Sequence, residues 1–342
     1  MNLGDRSRYE ENEDNEDNEE DREEGVWQIH DEEESVWETD EEDSAESVWE
    51  TEDEDEGSED EKIATIDHAL SNERTRERAR SSSVELLSSV NEFANQSDCI
   101  LSIVPPRDAL ATAKRVLDAV SHGREQPLFY LELNAISPGL STEVETLFQG
   151  NESIVLIDGG IIGGPPSPKA DSPTGWKCPS LVISGPTRLP YEDLTQQLNI
   201  KHVSPKIGGA SGLKMCFASM TKGFIALAIE SFVTADSLGV LPELREQMKT
   251  HNPQGLAIAD RGVTSMPPKA YRWVYEMQQI AATMHENGGF NKGIFDEVAE
   301  VYRVVAEDTE LGLEQTEERN RGRTVEDAVD AMRTGMKKVK QE

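Results

Sequence analysis

Between residues 97 and 204 the apolar positions come in short unbroken runs. Cys99-Ile100-Leu101-Ser102-Ile103-Val104 is stopped by Pro105-Pro106; Leu128-Phe129-Tyr130-Leu131-Glu132-Leu133 follows, and residues 154–157 and 181–184 repeat the pattern. Runs of this length, closed by proline or polar turn residues, predict strands buried on both faces, as in a parallel sheet. Residues 107–121 and 142–148 lie between them with helical spacing. Upstream, residues 63–66 form a short apolar run, 72–81 read as a basic exposed helix, 84–87 as a short strand, and 89–95 as a helix capped by Ser88 or Ser89. Strands alternating with helices predict a doubly wound, Rossmann-like α/β sheet, whose ligands sit at the carboxyl ends of its strands.

After residue 204 the strand signals stop. Leu213, Cys216, Met220, Phe224, Leu227, Phe232, Ala235 and Leu238 recur at helical intervals, the pattern of a long helix buried along much of its surface. Further helices are expected at 241–250, 268–286, 291–319 and 324–338. The predicted organisation is an acidic arm over 1–61, a partial Rossmann-like domain over 62–204 and an all-α domain over 205–342.

Charge changes this picture at one end only. Residues 1–61 hold 31 Asp/Glu against 3 Lys/Arg, so the arm carries −28 of the total −35 and the remainder a modest −7. So polar a segment buries too little to offset the entropy of ordering its backbone, and disorder is expected there. Within it Gly25-Val26-Trp27, Ser35-Val36-Trp37-Glu38-Thr39 and Ser47-Val48-Trp49-Glu50-Thr51 repeat a tryptophan unit, either partner-binding anchors or part of a solvated tail. The arm would repel phosphate and no basic stripe counters it, which argues against a nucleic-acid partner. No signal peptide and no apolar run of spanning length is evident, so a cytoplasmic protein without membrane attachment is expected. The three cysteines, Cys99, Cys178 and Cys216, lack the spacing of a zinc site or disulfide framework; all are expected reduced, Cys99 and Cys216 within apolar packing.

Four segments carry candidate chemistry. The first is Ser97-Asp98-Cys99-Ile100-Leu101-Ser102-Ile103-Val104-Pro105-Pro106 and the second is Glu132-Leu133-Asn134-Ala135-Ile136-Ser137-Pro138, in which Ser137 is equally well a helix cap. The third is Asp158-Gly159-Gly160-Ile161-Ile162-Gly163-Gly164-Pro165-Pro166, whose glycines allow close backbone approach and free N–H donors for a carboxylate. The fourth is Gly208-Gly209-Ala210-Ser211-Gly212-Leu213-Lys214-Met215-Cys216-Phe217-Ala218, which sets a lysine near the start of an apolar helix; on pattern alone that lysine either points to solvent or is a proton donor with lowered pKa.

Together, over roughly residues 72–310, these segments resemble the β-hydroxyacid dehydrogenases, relatives of 6-phosphogluconate and 3-hydroxyisobutyrate dehydrogenases, in the branch with a 6-phosphogluconate dehydrogenase-type all-α C-terminal domain. The resemblance implies an oxidoreductase moving hydride between NAD or NADP and a small hydroxy acid, with Lys214 as general acid/base. It implies cofactor contacts at Ser102, Ile103, Val104, Pro105 and Asn134, substrate contacts at Gly163, Gly164 and Ser211, no metal, and a homodimer formed through the all-α domain. Two positions depart from the family: Ile162 stands where a serine is usual and Ala218 where an asparagine is usual, so Ser219 or Thr221 would have to supply the second polar contact.

A Gly-x-Gly-x-x-Gly turn is missing ahead of residue 97, where the glycines are Gly4, Gly25 and Gly57. The Rossmann-like domain therefore reads as N-terminally truncated, and Arg74 or Arg76 would face either a 2′-phosphate or solvent. The rival reading is a catalytically degenerate relative, a dimeric interaction protein that recruits a protein partner through the acidic tryptophan-bearing arm.

Overall fold

The computed structural model describes residues 64–65, 76, 79–82, 84–172, 175–316 and 319–339. The expected acidic arm and most of the expected basic helix at 72–81 lie outside them.

Five strands form the main sheet: β3 (Cys99–Ser102), β4 (Leu128–Glu132), β5 (Ile154–Ile162), β8 (Ser180–Ser184) and β9 (Ile200–Ser204), side by side in that order. β1 (Ala64–Thr65) and β2 (Glu85–Leu86) pair separately in parallel, and β6 (Ser167–Pro168) with β7 (Trp176–Lys177) makes a small antiparallel ribbon. Among the described residues β3 pairs only with β4, so it is an edge strand.

β4 shows why unbroken apolar runs predicted buried strands. Leu128 and Tyr130 point into a core shared with Ala113 and Val116 of α2 (Ala109–Ala119) and Val144 of α3 (Pro138–Phe148), with Ala94 of α1 (Val90–Gln96) in the same cluster. Phe129 and Leu131 point the other way, onto Ile157, Leu181, Ile183 and Ile200. The sheet is mixed rather than wholly parallel, because β5 pairs with β8 antiparallel. These two strands are joined by the β6–β7 excursion instead of a helical crossover, and without one the returning strand runs antiparallel. A short helix, α4 (Glu192–Gln197), then leads into β9, which is parallel to β8.

The helical layer opens with α5 (Gly209–Leu238). It continues through α6 (Leu241–His251), α7 (Pro253–Ser265), α8 (Ala270–Glu286), α9 (Gly293–Glu307) and α10 (Val325–Val339). Phe232, Ile229 and Met215 of α5 share a core with Ala259 and Val263 of α7, Met277 and Ile280 of α8, Tyr302 of α9 and Val329 of α10. α7 is an addition to the expected helices; its start carried the Asn-Pro signal, for Asn252 caps it by accepting from the Gly255 N–H and Pro253 occupies the first turn. The expected helix over 291–319 stops at Glu307 and resumes as a 3-10 turn, Glu310–Leu313, capped by Thr309. By length and composition α5 could cross a membrane, with 33% of its apolar window buried in the fold, which corrects the expectation that no segment has that length. Cys216 corrects another: it is exposed, whereas Cys99 is partly buried and burial, then the Asp98 charge, pushes its thiol up to about 12.

Candidate functional site

The strand register lines up polar residues in a row across the sheet, at the last positions of β3, β4, β8 and β9 and the middle of β5. Ser102 lies beside Glu132, Glu132 beside Asp158, Asp158 beside Ser184 and Ser184 beside Ser204. Ser102, Glu132, Asp158 and Ser184 are all buried, so each must find a partner inside the fold.

Asp158 holds the start of α5. Its Oδ2 accepts from the N–H groups of Gly208 (3.0 Å), Ala210 (3.0 Å) and Ser211 (3.1 Å) and from Ser184 Oγ (2.6 Å). Its Oδ1 accepts from Ser141 Oγ (2.5 Å) and from Ser211 Oγ. The free amides of a helix N-terminus attract an anion, and here the chain supplies its own. Two glycines allow the approach. Gly208 sits at φ 87°, in the left-handed region, and a Cβ on Gly209 would come within 2.5 Å of the Ser204 Cβ. Ser211, expected from the sequence as a substrate contact, is fully buried, and its hydroxyl donates to Asp158.

Lys214 follows one turn later, crossing β5. A Cβ on Gly160 would lie 2.9 Å from the Lys214 Cβ, so the missing side chain is what lets the lysine stem pass over the strand. Its Nζ donates to the Ile161 carbonyl at 2.5 Å, at the carboxyl end of β5. Burial lowers the pKa of its ammonium, with the Glu276 carboxylate pulling the other way. Gly163, at φ 119°, and Gly164 follow Ile161 in the chain and are exposed.

Asn134, expected from the sequence as a cofactor contact, ties the ends of two strands together. Its Oδ1 accepts from the Val104 N–H at 2.7 Å, and its Nδ2 donates to Ser102 Oγ at 3.1 Å and to Glu132 Oε1. Being almost wholly buried and fully occupied, it pins the loop after β3 to the end of β4. That loop holds Ile103, 60% exposed, and Pro105, so Ser102 and Val104 set its shape while Ile103 and Pro105 present a surface. Ser137 is the cap of α3, accepting from the Leu140 N–H at 3.2 Å. Burial raises the Glu132 carboxyl to about 7, with the Asn134 hydrogen bonds opposing and the Asp158 charge adding to it.

Both hydroxyls named from the sequence bond to carbonyls of their own helix. Ser219 donates to the Cys216 carbonyl at 2.7 Å and Thr221 to those of Phe217 and Ala218, while Ala218 itself is buried. The polar group on this stretch of α5 is instead Lys222, ion-paired with Glu276 of α8. The signal was in the sequence: Lys222 interrupts an otherwise apolar helix, as Glu132 and Asp158 interrupt apolar strands.

Residues 235–305, from late α5 through α9, match the model of a domain of unknown function, DUF1932. An uncharacterized 28.5 kDa protein from the 7S RNA 5′ region of Methanothermus fervidus is 26% identical over 174 residues, 51% of this chain and 62% of that protein. The chain thus spans less than two thirds of that relative's length. A conserved hypothetical protein from Sinorhizobium meliloti superposes with a TM-score of 0.52 at 21% identity, over 80% of this chain and 88% of that one. A Mycobacterium tuberculosis 3-hydroxyisobutyrate dehydrogenase structure with L-serine gives 0.47 at 16% identity, over 72% and 86%. The likeness to the Sinorhizobium meliloti protein is one of fold, a Rossmann-like sheet followed by a helical domain. In the terms of that fold, the polar row lies where a Rossmann-like sheet meets its helical domain, and Lys214 stands at the junction.

Proposed function

We propose that the chain is an NAD(P)-dependent oxidoreductase acting on a small hydroxy acid, with Lys214 as the general acid/base. The observation that carries this reading is a desolvated lysine held at the carboxyl end of the central strand beside an exposed glycine pair. An amine with a lowered pKa there, in its neutral form, can take the proton from a substrate hydroxyl as its carbon becomes a carbonyl, and return it in the reverse direction. Gly163 and Gly164 offer unhindered N–H groups to the carboxylate. A bound nicotinamide dinucleotide supplies the hydride acceptor. The loop from Ser102 to Pro105 fits the nicotinamide end, whereas among the described residues no glycine-rich turn precedes β3 to cradle the pyrophosphate.

Fluorescence titration with NADPH and NADH tests the reading, with Lys214→Ala alongside. Saturable binding by both proteins is expected, with turnover of hydroxy acids lost only in the variant. No binding at millimolar nucleotide would sink the enzyme and favour the interaction protein.

The same reading includes a homodimer. Leu213, Met220 and Leu227 repeat every seven residues along α5, and Met220 (78%), Leu227 (58%) and Leu238 (72%) are exposed, an apolar stripe suited to a second copy. Light scattering of the purified chain should give twice the monomer mass, and Leu227→Lys should return it to the monomer. A wild-type monomer at micromolar concentration would remove the proposal.

A further inference from the structure

Glu132 takes no part in the proposed chemistry, yet it is fully buried at the end of β4, beside Ser102, where the loop to Pro105 leaves β3. Its Oε1 accepts from Asn134 twice, from the backbone N–H at 3.0 Å and from the side-chain Nδ2. Its Oε2 has no hydrogen-bond partner among the described residues. A carboxylate takes only donors, so the Nδ2 end of the Asn134 amide must face Glu132. The Oδ1 end is left to face the Val104 N–H, at 2.7 Å and 30 positions back in the chain. Glutamine can accept the same two bonds without burying an incompletely paired charge, which is costly. What the carboxylate adds is a single orientation for the amide. A carboxamide or a protonated carboxyl donates as well as accepts, and can bond the amide either way round.

We propose that Glu132 is a positioning residue, whose carboxylate fixes the Asn134 amide so that Oδ1 holds the Val104 N–H, and that losing the charge releases the Ile103–Pro105 loop from β4. Pro105 and Pro106 carry no N–H, so Val104 is the last backbone donor by which this segment can be held. Burial raises the Glu132 carboxyl to about 7, with the Asn134 bonds opposing, so the charge comes and goes near neutral pH. Asp158 of β5 adds its charge to that rise, and β3 contributes the Ser102 hydroxyl. Tyr130, two residues back on β4, has its phenol pushed far up by burial, with Arg115 of α2 opposing, and from α3 the Ser141 hydroxyl donates to Asp158. In the proposed dehydrogenase the loop meets the nicotinamide end, so its release would weaken the cofactor's hold. That consequence rests on the dehydrogenase reading; the tie itself does not.

Amide hydrogen exchange at Val104 of the full-length protein, localised by fragmentation mass spectrometry, tests the tie without nucleotide. A chain that binds no nucleotide would therefore fail the dehydrogenase reading alone. In wild type the Val104 protection, corrected for the intrinsic base-catalysed rate, should rise about tenfold between about pH 6 and about pH 8.5, the difference between a neutral and a charge-assisted hydrogen bond. Glu132→Gln should abolish the step and keep Val104 at its low-pH protection throughout, and Asn134→Ala should do the same. A merely structural role gives the opposite result. The folded state as a whole weakens as the Glu132 charge forms, and glutamine relieves that, so protection at Val104 would fall with pH in wild type and be higher in Glu132→Gln. Protection in Glu132→Gln equal to or above wild type at the alkaline end overturns the proposal. Should that variant fail to fold, the wild type decides, and a Val104 protection that is flat or falling through neutral pH overturns it.

Discussion

Asp158→Ala is expected to leave no cooperatively folded protein. The substitution strips the acceptor from three backbone N–H groups and three serine hydroxyls, all at the junction of sheet and helix α5. Each buried donor left unpaired costs about 1–3 kcal/mol, and a single domain has only about 5–15 kcal/mol in total. The Ala210 amide keeps a second acceptor in Ser184 Oγ at 2.9 Å, so the backbone donors left without a partner are those of Gly208 and Ser211. Asp158→Asn should cost less, on the order of 2–3 kcal/mol. Its carbonyl can take the amide cluster, while the Ser141 and Ser211 hydroxyls can turn to accept from its NH2, so the main loss is the charge at the helix start. Urea unfolding followed by circular dichroism separates the two. An alanine variant that unfolds at the wild-type midpoint would show that Asp158 does not hold the junction together.

Glu132→Gln should make the protein more stable above neutral pH. The Glu132 carboxyl is raised from 4.5 to about 7 in the fold. For an acid shifted upward, the folded state binds the extra proton between those two values, so stability is fully present below about 4.5 and declines as pH rises through 7. The difference corresponds to about 3 kcal/mol lost by pH 8. Glutamine keeps an acceptor for the Asn134 donors and never ionises, so its stability should stay flat from pH 5 to 8 and exceed wild type at the upper end. Lys222, lowered to about 8, begins to titrate at the top of that window, but wild type and variant both carry it, so the difference between them isolates Glu132. Equal slopes in wild type and variant over that window would mean that Glu132 titrates as it does in the unfolded chain.

Strand runs and helix spacing made most of the architecture readable in advance, since burial on both faces of β4 and along α5 leaves little choice of residue type. What escaped was set by three-dimensional pairing. β9, with alternating Ile200, His202 and charged Lys201, gave no clean run, and the antiparallel turn-back of β5 onto β8 depends on the β6–β7 excursion rather than on either strand. In the site, Lys214 was legible as a lysine near the start of an apolar helix. The inward turn of Ser211 to Asp158, 53 positions back, and of Asn134 to Ser102, 32 positions back, was not, because no periodicity along the chain reports such pairings. The Lys222–Glu276 pair bridges 54 positions, and only the first partner announced itself as a charge out of place.

The passage of Lys214 over Gly160 makes two distant positions a single mechanical part. A methyl group at 160 would meet the lysine's own Cβ before anything else, tilting the stem and drawing the amine away from the Ile161 carbonyl. A map of functional loss drawn from random variants would then mark the glycine as strongly as the lysine. The marked residue has no side chain to react; its contribution is the hydrogen it has where every other amino acid has carbon.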